Sequence, residues 1–443
     1  MAGTALIELA LGGGLIGVLA PLEGRLRVRD GFVLVAFTWC LMGVIGAVPL
    51  MLSLDLSFGD ALFEAISGLT TTGATILSGL DDMPRSVLLY RQELQWVGGI
   101  GVVVSAIALF PMLGIGGMQL LKPEIPGPIK TEKLRPRLRE TTRLILGIYL
   151  LVTLACATAY WAGGMSLYDA VAHSLSTVST GGFSTHDASL AYFDNPLIEG
   201  FAMFFMVVAS INFSLHYVAL HQLRLRPYLE NSEVRAFFGV IAVVWIAVAV
   251  TLYGQAVFSE PSEALRHAGF QVVSVLTSTG FSTRDFNAWP LFVPILLIFI
   301  SFIGGCAGST AGGMKVLRFV ILGKQAAIEI RRLYHPRLVQ QVRLGRDIVP
   351  PDIIQSIWAY CAIYVTVFAV TMVILMFDGM DAISAFGAVA TCLNNLGPGL
   401  GDVGQTFATT SSPERWLLSL AMLLGRLELF TLFVLFMPSF WKE

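Results

Sequence analysis

Four glycines recur along this chain, each closing a short polar run behind a short apolar segment. Gly73 lies in Thr70-Thr71-Thr72-Gly73-Ala74-Thr75 and Gly182 in Ser179-Thr180-Gly181-Gly182-Phe183-Ser184-Thr185. Gly280 lies in Thr277-Ser278-Thr279-Gly280-Phe281-Ser282-Thr283 and Gly397 in Asn394-Asn395-Leu396-Gly397-Pro398-Gly399. Successive glycines are 109, 98 and 117 residues apart. A repeat of this length in a very apolar chain suggests four copies of one unit around a common axis. The apolar segment before each glycine runs for about 13 residues, short of the roughly 20 that cross a bilayer as a helix. Each is therefore expected to be a re-entrant half-helix. Non-helical backbone at membrane depth is tolerated only where protein buries it or where it lines a wet cavity. Glycine admits φ > 0, so neighbouring carbonyls can turn toward one point. Four such loops would make a ring of oxygens able to replace the water shell of a monovalent cation.

The expected fold class follows: an all-α polytopic membrane protein of four pseudo-repeated helix–half-helix–filter loop–helix units around a central pore. Of 443 residues only 13% are charged, against about 25% in a soluble protein. The expected helices are 31–52, 58–71 and 91–113; 142–163, 166–178 and 197–220; 235–258, 262–277 and 289–322; and 352–377, 380–393 and 414–437. They divide the chain into a single peripheral N-terminal helix at 1–20 and repeats at 31–117, 141–220, 234–322 and 351–443. The third repeat has a broken second helix. Residues 1–20 lack a basic start and contain Glu8, so they read as a retained helix rather than a cleaved signal.

Basic residues set the orientation. Of 28 Lys and Arg, 22 lie between the repeats or at the C-terminus, with dense clusters over 118–143 and 315–347. The filter side carries acids instead, among them Asp55, Asp60, Glu64, Asp81, Asp187 and Asp285. The filters are expected to face outside, and the basic loops and C-terminus the cytoplasm. If residues 3–20 span once, the N-terminus lies outside. An acidic outer rim raises the local concentration of cations.

Chemistry of other kinds finds no support. Gly12-Gly13-Gly14-Leu15-Ile16-Gly17 fits G-x-G-x-x-G but follows no strand, so helix packing explains it better than a dinucleotide. In Gly308-Ser309-Thr310-Ala311-Gly312-Gly313-Met314-Lys315, Met314 separates glycine from lysine and spoils a phosphate loop. The six histidines form no HExxH, and the five cysteines no CxxC; the cysteines read as packing residues. No catalytic residue and no bound cofactor are expected.

Three features carry the expected mechanism. Thr and Ser hydroxyls beside the carbonyl ring add oxygen without fixed charge, and the half-helices present their negative C-terminal ends to the ion. One filter glycine per repeat, against two in the TVGYG of potassium channels, implies fewer ordered ion sites and weaker discrimination. Five glycines between Gly304 and Gly313 make continuous helix costly, about 1 kcal/mol each. A movable gate below the filter or a packing kink would explain them. Arg426 stands alone in an apolar span, either as a positive barrier on the axis or in a structural ion pair. Glu428, two residues on, is expected to point elsewhere on the same helix. Asn212 and His216, one turn apart, read as hydrogen-bonding groups between helices.

At these residues the chain resembles the TrkH/KtrB/HKT superfamily of potassium transporters, most closely its bacterial TrkH branch. The resemblance is carried by Ser67-Gly68-Leu69-Thr70-Thr71-Thr72-Gly73-Ala74-Thr75, Gly181-Gly182-Phe183-Ser184-Thr185-His186-Asp187, Gly304-Gly305-Cys306-Ala307-Gly308-Ser309-Thr310, Leu393-Asn394-Asn395-Leu396-Gly397-Pro398-Gly399-Leu400 and Gly425-Arg426-Leu427-Glu428. It runs from about Leu6 to Glu443. It implies that Thr72-Gly73, Gly181-Gly182, Thr279-Gly280 and Leu396-Gly397 line the filter and hold K+ as the permeating ion. It implies a gating loop over Gly304, Gly305, Gly308, Ser309, Thr310, Gly312, Gly313 and Lys315, and a pore arginine at Arg426. It also implies a homodimer in the bacterial inner membrane, each protomer with its own pore, and a cytosolic ring of the TrkA type that binds ATP, ADP or NAD. Nucleic acid has no part in it. TrkH-like chains usually begin with two extra helices, of which only the second matches here, at about residues 3–20. Uptake through a channel-like pore is the favoured reading. The alternative is a KtrB-like symporter moving K+ with H+ or Na+, for which Glu428 is the clear candidate carboxylate within a span.

Overall fold

The computed structural model describes residues 28–105, 134–345 and 347–442. The helix expected at 1–20, the end of the one expected at 91–113 and residues 118–133 of the basic cluster over 118–143 lie outside these residues. The described residues are mostly helical. Helices α1 (Val28–Leu54), α2 (Phe58–Leu69) and α3 (Arg85–Val104) come first, then α4 (Leu134–Ala162), α5 (Leu167–Val178), α6 (Pro196–Ala209) and α7 (Phe213–Gln222). A short α8 (Arg226–Glu230) leads to α9 (Ser232–Gly254), α10 (Pro261–Leu276), α11 (Phe292–Ser301) and α12 (Val316–Tyr334). A two-residue antiparallel hairpin, Arg343–Leu344 with Asp347–Ile348, precedes α13 (Pro351–Phe377), α14 (Ala382–Asn394), α15 (Ser412–Arg426) and α16 (Phe430–Phe433).

Length and apolarity qualify α1, α4, α9 and α13 to cross a membrane, and up to six spans if the bent pairs α6/α7 and α15/α16 each count as one. Their outward faces are apolar: Phe37 on α1, Leu154 on α4, Val243 on α9 and Val373 on α13 are all more than half exposed. Water would penalise such a surface and lipid does not. The short helices α2, α5, α10 and α14 lie inside. From Ala61 to Leu69 every residue of α2 is buried, and from Gly387 to Asn394 every residue of α14. Three of the four are capped at their N-termini by side chains, from Ser57, Ser166 and Asp381; Pro261 opens α10 instead. Each cap satisfies backbone donors that helix geometry leaves without partners.

Polar clasps join neighbouring units on the side where the short helices begin. The Arg266 guanidinium of α10 grips Glu199 of α6 with two bonds, of 2.6 and 2.7 Å. Arg415 of α15 pairs with Asp60 of α2. The Arg85 guanidinium of α3 lies over the Tyr168 ring of α5, whose hydroxyl donates to the Arg85 carbonyl at 2.7 Å.

Two spans expected to be continuous are broken. The helix expected over 197–220 bends by 98° between α6 and α7. The break receives a neighbour: Cys306 N donates to Ser210 O at 2.9 Å, Thr310 N to Ala209 O at 3.3 Å, and Phe213 N to Gly308 O at 3.1 Å. The carbonyls that end α6 thus accept from another segment, and Asn212 restarts the helix as its N-cap. The helix expected over 414–437 bends by 108°, and Glu428 adopts φ 58°. Glu428 is therefore at a corner rather than on a helix face.

Close crossings set the packing of the short helices. A Cβ on Gly98 of α3 would strike the Leu69 carbonyl that ends α2, and one on Gly425 of α15 the Leu393 carbonyl of α14. Gly425→Val should overpack this crossing and cost about 1–3 kcal/mol, read as a lower thermal midpoint in detergent. Gly147→Val, where the added carbon meets nothing within 4 Å, serves as the control and should leave the midpoint unmoved.

Candidate functional site

All four short helices end in the same turn. Thr71 N donates to Gly68 O and Thr72 N to Ser67 O, both at 2.9 Å. The matching pairs are Thr180 N to Thr177 O with Gly181 N to Ser176 O, and Ser278 N to Val275 O with Thr279 N to Ser274 O, all between 2.8 and 3.1 Å. The fourth is Asn395 N to Cys392 O with Leu396 N to Thr391 O, at 3.3 and 2.8 Å. This is the Schellman arrangement, which needs one left-handed residue and usually takes glycine there. Here the left-handed residues are Thr71, Thr180, Ser278 and Asn395, with φ of 53°, 54°, 53° and 53°. Outside glycine that conformation costs about 1–2 kcal/mol. Two residues later Gly73, Gly182, Gly280 and Gly397 are left-handed again, with φ of 80°, 79°, 80° and 96°.

The residue caught between the two left-handed positions, Thr72, Gly181, Thr279 or Leu396, therefore has its carbonyl turned out of the helix. These carbonyls close a ring. A Cβ on Gly73 would strike the Gly181 oxygen, one on Gly182 the Thr279 oxygen, one on Gly280 the Leu396 oxygen and one on Gly397 the Thr72 oxygen. The series returns to its start after four steps. Each glycine is required twice, by its φ and by the oxygen of the next loop.

Outside the ring lies a cavity of about 530 Å³, lined by Gly73, Gly182, Gly280 and Pro398 together with charged side chains such as Arg284 and Asp285. Glu64, fully buried, accepts from Arg91 Nε at 2.8 Å, Thr75 Oγ1 at 2.9 Å and Ile76 N at 3.1 Å, and so holds the chain leaving the first loop. The Arg91 guanidinium also lies 4.0 Å over the ring of Phe183 in the second loop.

On the other side lies the glycine-rich segment. Gly304, Gly308 and Gly313 are left-handed, and the stretch from Phe302 to Lys315 forms a loop between α11 and α12. Its amides bond to the ring structure itself. Gly312 N donates to Ser278 Oγ at 2.5 Å and Gly313 N to Asn394 O at 3.0 Å. Thr310 Oγ1 reaches Val178 O at 3.1 Å. From α9, buried Glu233 accepts from Ala307 N at 2.8 Å. Lys315 donates back to Ala311 O.

Arg426 closes this region. It is 4% exposed, its Nη1 donates to Thr310 O at 2.8 Å, and its Nε and Nη2 have no hydrogen-bond partner. Among the described residues it meets no carboxylate. Glu428 is engaged elsewhere, with Arg318 at 2.6 Å and both groups buried. A narrow pocket is lined by Ser309, Gly312, Lys315, Asn395, Arg426 and Glu428.

The residues singled out in the sequence thus fall into two touching groups. Thr72, Gly73, Gly181, Gly182, Thr279, Gly280, Leu396 and Gly397 form the ring. Gly304, Gly305, Gly308, Ser309, Thr310, Gly312, Gly313 and Lys315 form the loop, with Arg426 against it. Asn212 and His216 do not reach the ring: Asn212 caps α7, and His216 bonds the Tyr228 hydroxyl and Val208 O. Sequence reasoning missed the left-handed Thr71, Thr180 and Ser278, because neither threonine nor serine advertises that conformation. It also missed Gln95, Glu233 and Arg318. Gln92 and Gln95, one turn apart in an apolar helix, were a usable signal.

Apolar spans enclosing four inward short helices and a closed ring of backbone oxygens define a polytopic membrane transport protein rather than an enzyme. The chain belongs to the TrkH family of cation transport proteins, whose family model matches residues 7–443. It is 45% identical to the Trk system potassium uptake protein TrkH of Escherichia coli (strain K12) over 442 residues, 99% of this chain and 92% of that one. The protein of the same name from Salmonella typhimurium is 46% identical over 423 residues, 95% and 88% of the two chains. The crystal structure of the potassium transporter TrkH from Vibrio parahaemolyticus superposes with a TM-score of 0.91 at 42% identity, covering 99% of this chain and 92% of that one.

Beside the outer cavity, His186 Nδ1 bonds Asp81 Oδ1 at 2.5 Å, and Gly79 N donates to Asp187 at 3.0 Å. The hydrogen bond from His186 holds the Asp81 carboxyl below its ordinary 3.8. A lowered carboxyl contributes above its ordinary value and loses that contribution as pH falls through the lowered one. Asp81→Asn should therefore speed amide exchange over residues 78–83 at neutral pH. The gap from wild type should close only below about pH 4.

Proposed function

We propose that the protein takes up K+ across the bacterial inner membrane through a channel-like pore. Thr72-Gly73, Gly181-Gly182, Thr279-Gly280 and Leu396-Gly397 form its filter. The segment from Gly304 to Lys315, with Arg426, forms its gate. In this reading the chain is four units, 31–117, 141–220, 234–322 and 351–443, around one axis. The filter faces outside, and the C-terminus and basic loops face the cytoplasm. The observation that carries it is the closure of the four loops upon one another. A ring of neutral carbonyls binds a dehydrated monovalent cation and still releases it. The named activity of the relatives supplies the ion.

The assembly we infer is a homodimer controlled by a cytosolic nucleotide-binding ring of the TrkA type. The exposed basic stretch of α12, Lys324, Arg331 and Arg332, offers that ring a surface of suitable charge, one that salt would screen. A symporter coupled to H+ or Na+ would need a carboxylate free to exchange its cargo. Glu428 is occupied by Arg318, which favours the pore.

Purified protein in proteoliposomes should pass Rb+ with Na+ as a poor competitor, and an imposed proton gradient should not drive uptake. Gly182→Ser or Gly280→Ser should bring Na+ competition several-fold closer to that of K+, because a side chain displaces the facing carbonyl. Unchanged competition in both variants would falsify the filter assignment.

A full charge near the axis opposes a cation strongly where the dielectric is low. Arg426→Ala should therefore raise Rb+ flux in the absence of the cytosolic ring, with the size-exclusion profile of the dimer kept. A well-folded variant no leakier than wild type refutes the barrier. Loss of the dimer instead identifies Arg426 as a structural residue.

A further inference from the structure

The four ring carbonyls are not equivalent. That of Gly181 alone receives a side-chain donor among the described residues: Gln95 Nε2 lies 2.6 Å from it. Gln95 belongs to α3, the helix following the first filter loop, and reaches across to the second. It is fully buried, and its other end is fixed. Its Oε1 accepts from Ser176 Oγ at 2.7 Å and from Phe183 N at 3.2 Å. A backbone N–H can only donate, so the amide oxygen must face Phe183 and the NH₂ must face Gly181. The fit is tight as well as polar, since a Cβ on Gly181 would run into the Gln95 amide carbon. Position 181 therefore has to be glycine for Gln95 to approach, whereas Thr72, Thr279 and Leu396 occupy the matching places in the other loops.

A hydrogen bond occupies one lone pair of a carbonyl oxygen, restrains its rotation and draws charge away from its free side. A ring with one such oxygen has a weaker, stiffer ligand on one side and three ordinary ones elsewhere. Selection between monovalent cations depends on the field strength and freedom of the coordinating carbonyls. We infer that Gln95 is a specificity-determining positioning residue, which sets how strongly the second loop coordinates K+ by holding the Gly181 carbonyl from outside the pore. The inference rests on the filter reading above.

The test uses full-length protein in proteoliposomes and measures Rb+ uptake against graded Na+. Gln95→Glu keeps the shape but replaces the donor by an acceptor. Gln95→Met removes hydrogen bonding. Ser176→Ala keeps Gln95 and loosens its far end. The expected result is a threefold or larger loss of Rb+ preference in the first two variants and a smaller loss in the third, with dimer yield retained. Unchanged preference in a folded Gln95→Met or Gln95→Glu overturns the inference. So does failure of both to fold while Ser176→Ala keeps wild-type preference, since Gln95 is then packing only. Absence of selective flux in wild type would overturn the filter reading instead, and with it this inference.

Discussion

Everything in this structure answers one constraint: four helices stop inside a membrane protein, and the carbonyls at their ends must find partners without water. An unpaired backbone group in hydrocarbon costs several kcal/mol. The Schellman turns dispose of two carbonyls at each end. They do so by forcing Thr71, Thr180, Ser278 and Asn395 into a left-handed conformation, and that forcing throws the following carbonyl clear of the helix. The oxygens that meet around the ring are thus a consequence of how the helices are terminated. The strain at the three Thr and Ser positions is tolerated because burial on every side leaves the chain no other route.

The same constraint explains why the glycine-rich loop sits where it does. Val178 O and Asn394 O accept from Thr310 Oγ1 and Gly313 N, so the loop completes what the turns leave over. Its own amides are satisfied in turn by Ser278, by Glu233 and by the broken end of α6. Each such bond contributes about 0.5–1.5 kcal/mol net when water can replace it, and more when water cannot. The loop is therefore firmly seated in a dry protein and easily released once water follows an ion into its place. In the proposed pore, a gate of this kind would open by exchanging partners rather than by stretching a hinge.

How much of this was legible depended on whether a feature is local. The four short helices and the broken span after Ser301 could be read because run length and glycine content are properties of a segment. So could the ring glycines, because their spacing repeats. The breaks at Ser210–Asn212 and at Leu427–Glu428 could not. Residues 197–220 and 414–437 are apolar enough to continue as helix, and the partners met at the breaks come from far along the chain, Cys306 and Thr310 at one and Arg318 at the other. Gln95, one turn from Gln92, could have been noticed as a polar group, but its partner, 86 residues away, could not be read from the sequence. The Arg426 environment was only half visible. A lone arginine in a span announces itself, but whether Glu428 neutralises it is decided by Arg318, 110 residues away from that glutamate in the chain.

That last competition bears on how a positive charge can be stored here at all. Burying an unpaired guanidinium is expensive, and among the described residues Arg426 has one hydrogen bond and no carboxylate. What stabilises it is the surrounding field: the last turn of α15, whose C-terminal end favours a cation, and the C-terminal ends of the short helices, which converge on the same region. A permeating cation would draw on those same dipoles. In the proposed pore, Arg426 and the ion therefore compete for one set of partial charges, so displacing the arginine releases field for the ion. Arg318 keeps Glu428 from ending that competition. With Glu428 free to turn to Arg426, the barrier would become a neutral pair and the gate would lose its charge.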